Sequence, residues 1–278
     1  IAVYVAHTNL DTAEGGMNDW MAEALGLNVT GVLEEVHTDK LYKLAVFVPN
    51  EHREAVREAL FNAGAGWIGN YSHCSFSVAG TGTFLGEEGT NPFLGEQGRL
   101  ERAEEQRIET VVPESRKDAV LRAMFAAHPY EEVAYDLYLL QQPGKRYGLG
   151  RVGNLPEATD LESFARHVKR ALDVPALRYA GDPAKTVRRV AVLGGSGRSF
   201  MKRALSAGAD VFVTGDLDHH TAHDALAAGL ALVDPGHHVE RLVKQAVASR
   251  WNDYSTSRGL GVEAYASELS TEPFRFLG

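Results

Sequence analysis

Five of the eleven histidines fall between positions 219 and 238, and they stand among carboxylates. One segment reads Thr214-Gly215-Asp216-Leu217-Asp218-His219-His220; another reads Asp234-Pro235-Gly236-His237-His238-Val239-Glu240. A third, His7-Thr8-Asn9-Leu10-Asp11, lies near the other end of the chain. Neutral imidazole mixed with carboxylate is the donor set preferred by zinc, iron or manganese, whereas oxygens alone suit magnesium or calcium. His237 and Glu240 are three residues apart at a helix start, so both side chains can point to one side of that turn. Asp11, arriving from a different strand end, could complete a shared site. A single histidine more often caps a helix or bonds a backbone carbonyl; three such segments together favour a metal site.

For these residues to meet, the elements before them must end on one edge. In an open parallel sheet, ligands collect beyond the carboxyl ends of the strands. The pattern predicts strands at Ile1 to Ala6, Val187 to Leu193, Asp210 to Val213, Leu230 to Val233 and Gly261 to Ala266. Helical segments between them imply a mostly parallel sheet covered on both faces. The helix predicted from about Asp160 to Leu172 opens on Thr159-Asp160-Leu161-Glu162, a capping-box spacing. After the strand ending at Leu193, Gly195-Ser196-Gly197-Arg198-Ser199-Phe200 holds two glycines of a dinucleotide fingerprint, but Phe200 stands where the third belongs. An anion resting on the following helix with Arg198 near, or simply a tight turn, accounts for the segment better.

The middle of the chain reads differently. Strands at Tyr42 to Val48, through Phe84, near Arg107 to Val112 and at Val133 to Leu140 enclose helices at Glu51 to Ala63 and Ser115 to Ala127. Strand-helix-strand-strand-helix-strand is the order of a ferredoxin-like α+β unit. Gly80 to Gly98, rich in Gly, Thr, Asn and Pro, is predicted as its exposed loop. Asn70 to Cys74 and His128-Pro129-Tyr130-Glu131-Glu132 are read as structural polar groups, and His128 before proline as a helix end. The expected organisation is a discontinuous α/β metal-binding domain, residues 1 to 41 and 142 to 278, interrupted by an insert over 42 to 141.

Composition narrows the classes of function. A formal net charge of -9 argues against a general nucleic-acid binder, which carries a basic stripe. The single cysteine, Cys74, rules out an internal disulfide framework and is too little thiolate for a structural zinc site. The apolar runs are strand-sized, no membrane association is expected, and without a signal-peptide layout the cytoplasm is the default compartment. The opening Ile1-Ala2-Val3-Tyr4-Val5-Ala6, a buried-strand pattern without an initiator Met, reads as the start of a fragment.

The three His-carboxylate segments together resemble the GTP cyclohydrolase I type 2 / Nif-three-like dinuclear metal family. The middle unit, with its Gly64-to-Cys74 stretch, Gly80-Thr81-Gly82-Thr83-Phe84 and His128-Pro129-Tyr130-Glu131-Glu132, looks like the PII-like or CutA-like insert of longer bacterial members. The resemblance implies Asp11, His237 and Glu240 as metal ligands, with Glu240 bridging two ions, and His219 and His7 lining the same cavity. His219 is then the candidate for proton transfer. It implies divalent ions as cofactors, zinc foremost with iron or manganese as options, two per subunit in the complete site. It implies assembly into homohexamers and a nucleotide substrate, with hydrolytic opening of the purine ring of GTP as the reaction. The alternative is a non-enzymatic metal-binding or regulatory module in which the insert senses or assembles. The family's remaining ligands belong to a His-His-Pro motif upstream of Ile1, and nothing in the chain replaces it. The expectation is therefore one weakly held ion at most.

Overall fold

A computed structural model describes residues 1–276. Along the chain, short helix α1 (Thr8–Thr12) and helix α2 (Met17–Ala24) lead into strand β1 (Asn28–Asp39). Then come β2 (Leu41–Pro49), α3 (Arg53–Asn62), β3 (Ser75–Leu85), β4 (Leu100–Pro113), α4 (Lys117–Ala127) and β5 (Tyr135–Leu139). The chain continues through β6 (Lys145–Asp160), α5 (Leu161–Ala171), β7 (Arg178–Ala180), β8 (Thr186–Ser196) and α6 (Met201–Ser206). It finishes with β9 (Val211–Gly215), α7 (His219–Ala227), β10 (Ala231–Asp234) and α8 (Leu242–Arg258). Two compact units result: residues 1–37 with those from 146 onward, and residues 38–145. No helix among the described residues is long and apolar enough to cross a membrane.

The first unit is built on a six-stranded sheet ordered β1-β6-β8-β9-β10-β7. All five residues of β9 are buried, as a central parallel strand requires. Alternation along it separates two cores. Val211 and Val213 pack with Met17, Met21 and Leu25 of α2 and with Phe164 and Val168 of α5. Phe212 packs on the opposite face with Ala204 of α6 and Ala225 of α7. The buried stripe of α5, Leu161, Phe164, Ala165 and Val168, has helical spacing, and Asp160 caps the helix by accepting from the Ser163 amide at 2.8 Å.

The sheet is mixed rather than mostly parallel. Strands β8, β9 and β10 run parallel through crossover helices, while β6 pairs with β8 and β7 with β10 antiparallel. Strand β6 escapes a pattern reading because its glycines look like a loop. They are instead clearances: a Cβ on Gly148 would lie 1.9 Å from the Glu34 carbonyl oxygen and one on Gly153 2.8 Å from that of Asn28.

Two expected strands do not form. Ile1 to Ala6 is exposed, with Val3 at 84 %, and takes no place in either sheet. Asp11 accordingly sits in α1 and not behind a strand. Residues 261–266 have their backbone groups satisfied by side chains of α8 instead of by a ladder. Asn252 bonds Ala264 in both directions, at 3.0 and 2.7 Å, and Ser255 does the same for Val262 at 2.6 and 3.2 Å.

The second unit carries an antiparallel sheet ordered β3-β4-β2-β5. Leu44, Val46 and Val48 of β2 and Ile108 of β4 pack on Val56 and Leu60 of α3 and Val120 and Met124 of α4. Asp39 accepts from both the amide and the hydroxyl of Ser115, at 2.8 and 2.6 Å, fixing the turn before α4. The predicted loop from Gly80 is strand as far as Leu85, since β3 pairs with β4 along its whole length. His128 is structural: its Nε2–H donates to the Phe47 carbonyl at 2.9 Å and its Nδ1 accepts from the Tyr130 amide at 3.1 Å.

Candidate metal centre

Three strand ends meet around His237. After β10, Asp234 is buried and accepts from the Leu217 amide at 3.2 Å, from the Gly236 amide at 2.9 Å and from Arg178. This ties the ends of β9 and β10 together. His237 then opens a 3-10 turn, His237–Arg241, that brings Glu240 to the same side. Packing of the ends is tight: a Cβ on Gly215 would lie 2.8 Å from the His237 nitrogen and 2.9 Å from the Gly195 carbonyl oxygen.

The imidazole is held between two acids. Its Nδ1 lies 2.7 Å from Asp216 Oδ2, and its Nε2 lies 3.5 Å from Glu240 Oε2. The bond to Asp216, burial acting against it, and the charges of Glu240 and Asp216 together hold the His237 pKa above the usual range. Burial raises the pKa of Glu240, and the neighbouring charge of Asp11 adds to it while His237 and His7 oppose. Asp11 is likewise raised by burial, with His7 opposing. Glu240 thus feels the charges of His237, Asp11, His7 and Asp216.

The structure therefore places Asp11 and Glu240 within electrostatic reach of each other and His237 directly against Glu240. His219 is elsewhere in its contacts. It begins α7, and its ring meets His220 and His223 at centroid separations of 5.7 and 4.6 Å. Among the described residues, no three His, Cys, Asp or Glu side chains converge closely enough to hold a metal ion. The chemistry and bite of the nearest pair nonetheless suit one. Two ligands about 2 Å from a common ion at a tetrahedral angle stand about 3.3 Å apart, close to the 3.5 Å between His237 Nε2 and Glu240 Oε2. Asp216 stands behind Nδ1 at 2.7 Å, the carboxylate-histidine arrangement of metal sites in which Nε2 is the nitrogen left to face an ion.

Three residues that position this cluster carry no motif. Asn18, 1 % exposed, donates to the Asp11 carbonyl at 2.9 Å and accepts from the Gly194 amide at 3.0 Å, clamping α1 to the end of β8. Asp19 binds Arg151, which also donates to the carbonyls of Ala13, Gly148 and Gly150 at 2.8 to 3.0 Å. Only the alternation of β6 could have hinted at Arg151, and its glycines hide that alternation.

The Gly195 to Gly197 turn provides clearance. Gly195 has φ +64°, and a Cβ there would lie 2.6 Å from Glu240 Oε1; one on Gly197 would lie 2.2 Å from Thr214 Oγ1. Arg198 is engaged by Asp218 at 2.7 Å. Gly195→Ala is expected to cost about 1–2 kcal/mol from the left-handed backbone alone, and to push the Glu240 carboxylate away. Urea unfolding measures the first effect; unchanged stability would show that the turn opens to admit a methyl group. Beside the cluster, a cavity of about 820 Å³ has Asp216, His237, Glu240, Arg241 and Lys244 in its lining.

Fold and site together define an α/β protein with a carboxylate-imidazole cluster at the edge of a mixed sheet. The family model described as Duf34/NIF3 (NGG1p interacting factor 3) matches residues 1–273, and the chain belongs to that family. Its relatives include the GTP cyclohydrolase 1 type 2 homolog of Halalkalibacterium halodurans, 53 % identical over 277 residues that make up 100 % of this chain and 74 % of the relative. The protein of the same description from Bacillus subtilis is 52 % identical with the same coverage. A crystal structure of a Bacillus cereus protein related to NIF3 superimposes with a TM-score of 0.90 at 51 % identity, covering 98 % of this chain and 72 % of that one.

Proposed function

We propose that this chain binds a single divalent cation, zinc foremost with iron or manganese as alternatives, through His237 and Glu240 with Asp11 beside them. One observation carries the reading: the 3.5 Å separation of His237 Nε2 and Glu240 Oε2, with Asp216 bound behind the ring at 2.7 Å. Two half-buried carboxylates whose pKa values burial raises, the charge of Asp11 adding to the shift of Glu240, are further support, because a cation would favour their charged forms.

The reaction that relatives' names suggest is hydrolytic opening of the purine ring of GTP. A bound cation of this kind supplies Lewis acidity, lowering the pKa of water from about 15.7 to about 7. Around it, Asp216 bonds His237 Nδ1, Gly195 leaves room for Glu240, and Arg241 and Lys244 stand among the basic residues of the cavity lining, Arg241 paired with Asp173 and Lys244 donating to the Leu269 carbonyl. His219 is proposed for proton transfer, since α7 starts from the same sheet edge. The second reading, a non-enzymatic cation-binding or regulatory module with the insert as its sensing or assembly element, is favoured by the small donor set. Catalytic zinc sites keep three protein ligands, and fewer converge here.

Calorimetric titration of the purified 278-residue chain with Zn²⁺ and with Mn²⁺ tests the site. One ion per subunit, released by dialysis against a weak chelator, is expected. Two tightly held ions would overturn the reading and would implicate His7 or His219 as additional ligands. Incubation of the loaded chain with GTP then separates the two functions: formate release supports the hydrolase, and bound but unaltered GTP supports the module.

A further inference from the structure

A second cavity, of about 370 Å³, lies in the unit formed by residues 38–145. Its walls are aromatic. The rings of Phe84 and Phe93 stand 6.3 and 6.2 Å from that of Tyr130, tilted by 56° and 49°. Glu105, Glu131 and Glu132 also line it, and no Lys, Arg or His does. Glu105 is only 8 % exposed. Its Oε1 accepts from the Tyr130 hydroxyl at 2.8 Å, which also fixes the ring. Among the described residues no Lys or Arg pairs with it, and His128, which feels its charge, has a pKa that burial lowers. Arg107, two residues along β4, lies over the Phe47 ring at 5.7 Å and pairs with Glu109 at 3.0 Å.

Space has been left for this carboxylate. A Cβ on Gly82 would sit 2.3 Å from Glu105 Oε2, so glycine leaves the acid its present position across β3. The roof is held as well. Glu131 accepts from the Asn91 amide at 2.9 Å, and the loop closes on itself where the Gly98 amide donates to the Gly86 carbonyl at 2.8 Å. A buried carboxylate without a counter-charge is costly. Here it is paired with aromatic faces whose π clouds are negative. Every element of the cavity therefore favours a positive guest.

We propose that this cavity binds a small organic cation, an alkylammonium or methylated ammonium group, seated against Phe84, Phe93 and Tyr130 with its charge on Glu105. The chemistry distinguishes this guest from its rivals. An anion is repelled by three carboxylates. A neutral apolar molecule leaves Glu105 unpaired. A bare metal ion lacks donors, since no metal-holding group of three occurs among the described residues. Ammonium faces on aromatic rings are attracted at separations up to about 6 Å, and the volume is within the range of about 300–1,000 Å³ usual for small-molecule sites. The ammonium group has two sources, a free amine or the lysine side chain of another protein.

Saturation-transfer NMR and calorimetry on the intact chain test the proposal, with tetramethylammonium, propylammonium and spermidine as free probes and a capped Gly-Lys-Gly peptide as the side-chain probe. At least one cation is expected to bind saturably, while tert-butyl alcohol, a neutral molecule of similar shape, does not. Phe93→Ala is expected to weaken binding about threefold to thirtyfold, and its ring is 49 % exposed, so the fold does not depend on it. Glu105→Gln keeps the shape and is expected to weaken binding about tenfold to a hundredfold, the range of a hydrogen bond to a charged group. Spermidine binding more tightly than the peptide assigns the site to free amines; the reverse assigns it to a protein side chain. Failure of every cation to saturate, equal binding of the neutral probe, or indifference to Phe93→Ala would overturn the proposal.

Discussion

Asp19→Ala is expected to destabilise the first unit by about 3–5 kcal/mol, the penalty for leaving one partner of a buried ion pair alone. Arg151 is 4 % exposed and would keep its charge in the interior with only carbonyl oxygens for company. The pair secures the start of α2, and with it Asn18 and the backbone of Asp11, so the damage should reach the candidate site. Urea unfolding measures the loss. Asp19→Ala combined with Arg151→Met should recover most of it, since apolar replacement of both partners removes the stranded charge. If the single variant loses less than about 1 kcal/mol, the pair is no more than a surface bridge.

The same pair predicts an acid limb. Burial pushes the Asp19 carboxyl up, but the bond and charge of Arg151 and the amides of Gly15 and Gly16 outweigh it, and the net shift is downward. A carboxylate with a lowered folded pKa contributes stability above its unfolded value, about 3.9. That contribution disappears as pH falls through the lower folded value. The wild-type chain should therefore lose more stability below about pH 4 than the double variant does.

The second large effect concerns Glu240. Glu240→Gln is expected to reduce Zn²⁺ affinity by more than the roughly 10–100-fold that outer-sphere partners of a metal site carry. Asp216→Asn, which removes only the support behind His237, should fall inside that range. Stability should move the other way. Glu240 has a raised pKa, so the cost of its charged form is full above that folded value, declines as pH falls through it and vanishes below the unfolded value. At neutral pH the apo Gln variant is expected to be at least as stable as wild type. Thermal denaturation with and without Zn²⁺ checks both halves; a variant that is less stable as apoprotein and still binds Zn²⁺ would remove Glu240 from the site.

Several features of this protein were legible from local pattern. The apolar stripe of α5 and its capping residue Asp160 follow from spacing within a dozen residues. The buried run Val211 to Val213 needs no partner to be read as a central strand. The His-carboxylate segments were visible because donors crowd in sequence as they do in space, three residues apart at His237 and Glu240. Family membership rested on such segments.

Tertiary structure decided the rest. Ile1 to Ala6 has the composition of a buried strand yet forms none, because a strand needs a partner as well as a pattern and this segment takes no place in either sheet. Residues 261–266 lose their strand to Asn252 and Ser255, side chains whose reach no local pattern contains. Strand β6 runs through glycines that local propensity disfavours, because the approach to Glu34 and Asn28 leaves no room for a Cβ. Asp216, Asn18 and the Asp19–Arg151 pair act across gaps of 21, 176 and 132 residues. Donor types are a property of the sequence; their separation is set by how strand ends pack. That packing brings His237 and Glu240 to the bite of one ion and leaves the ring of His219 among other histidines.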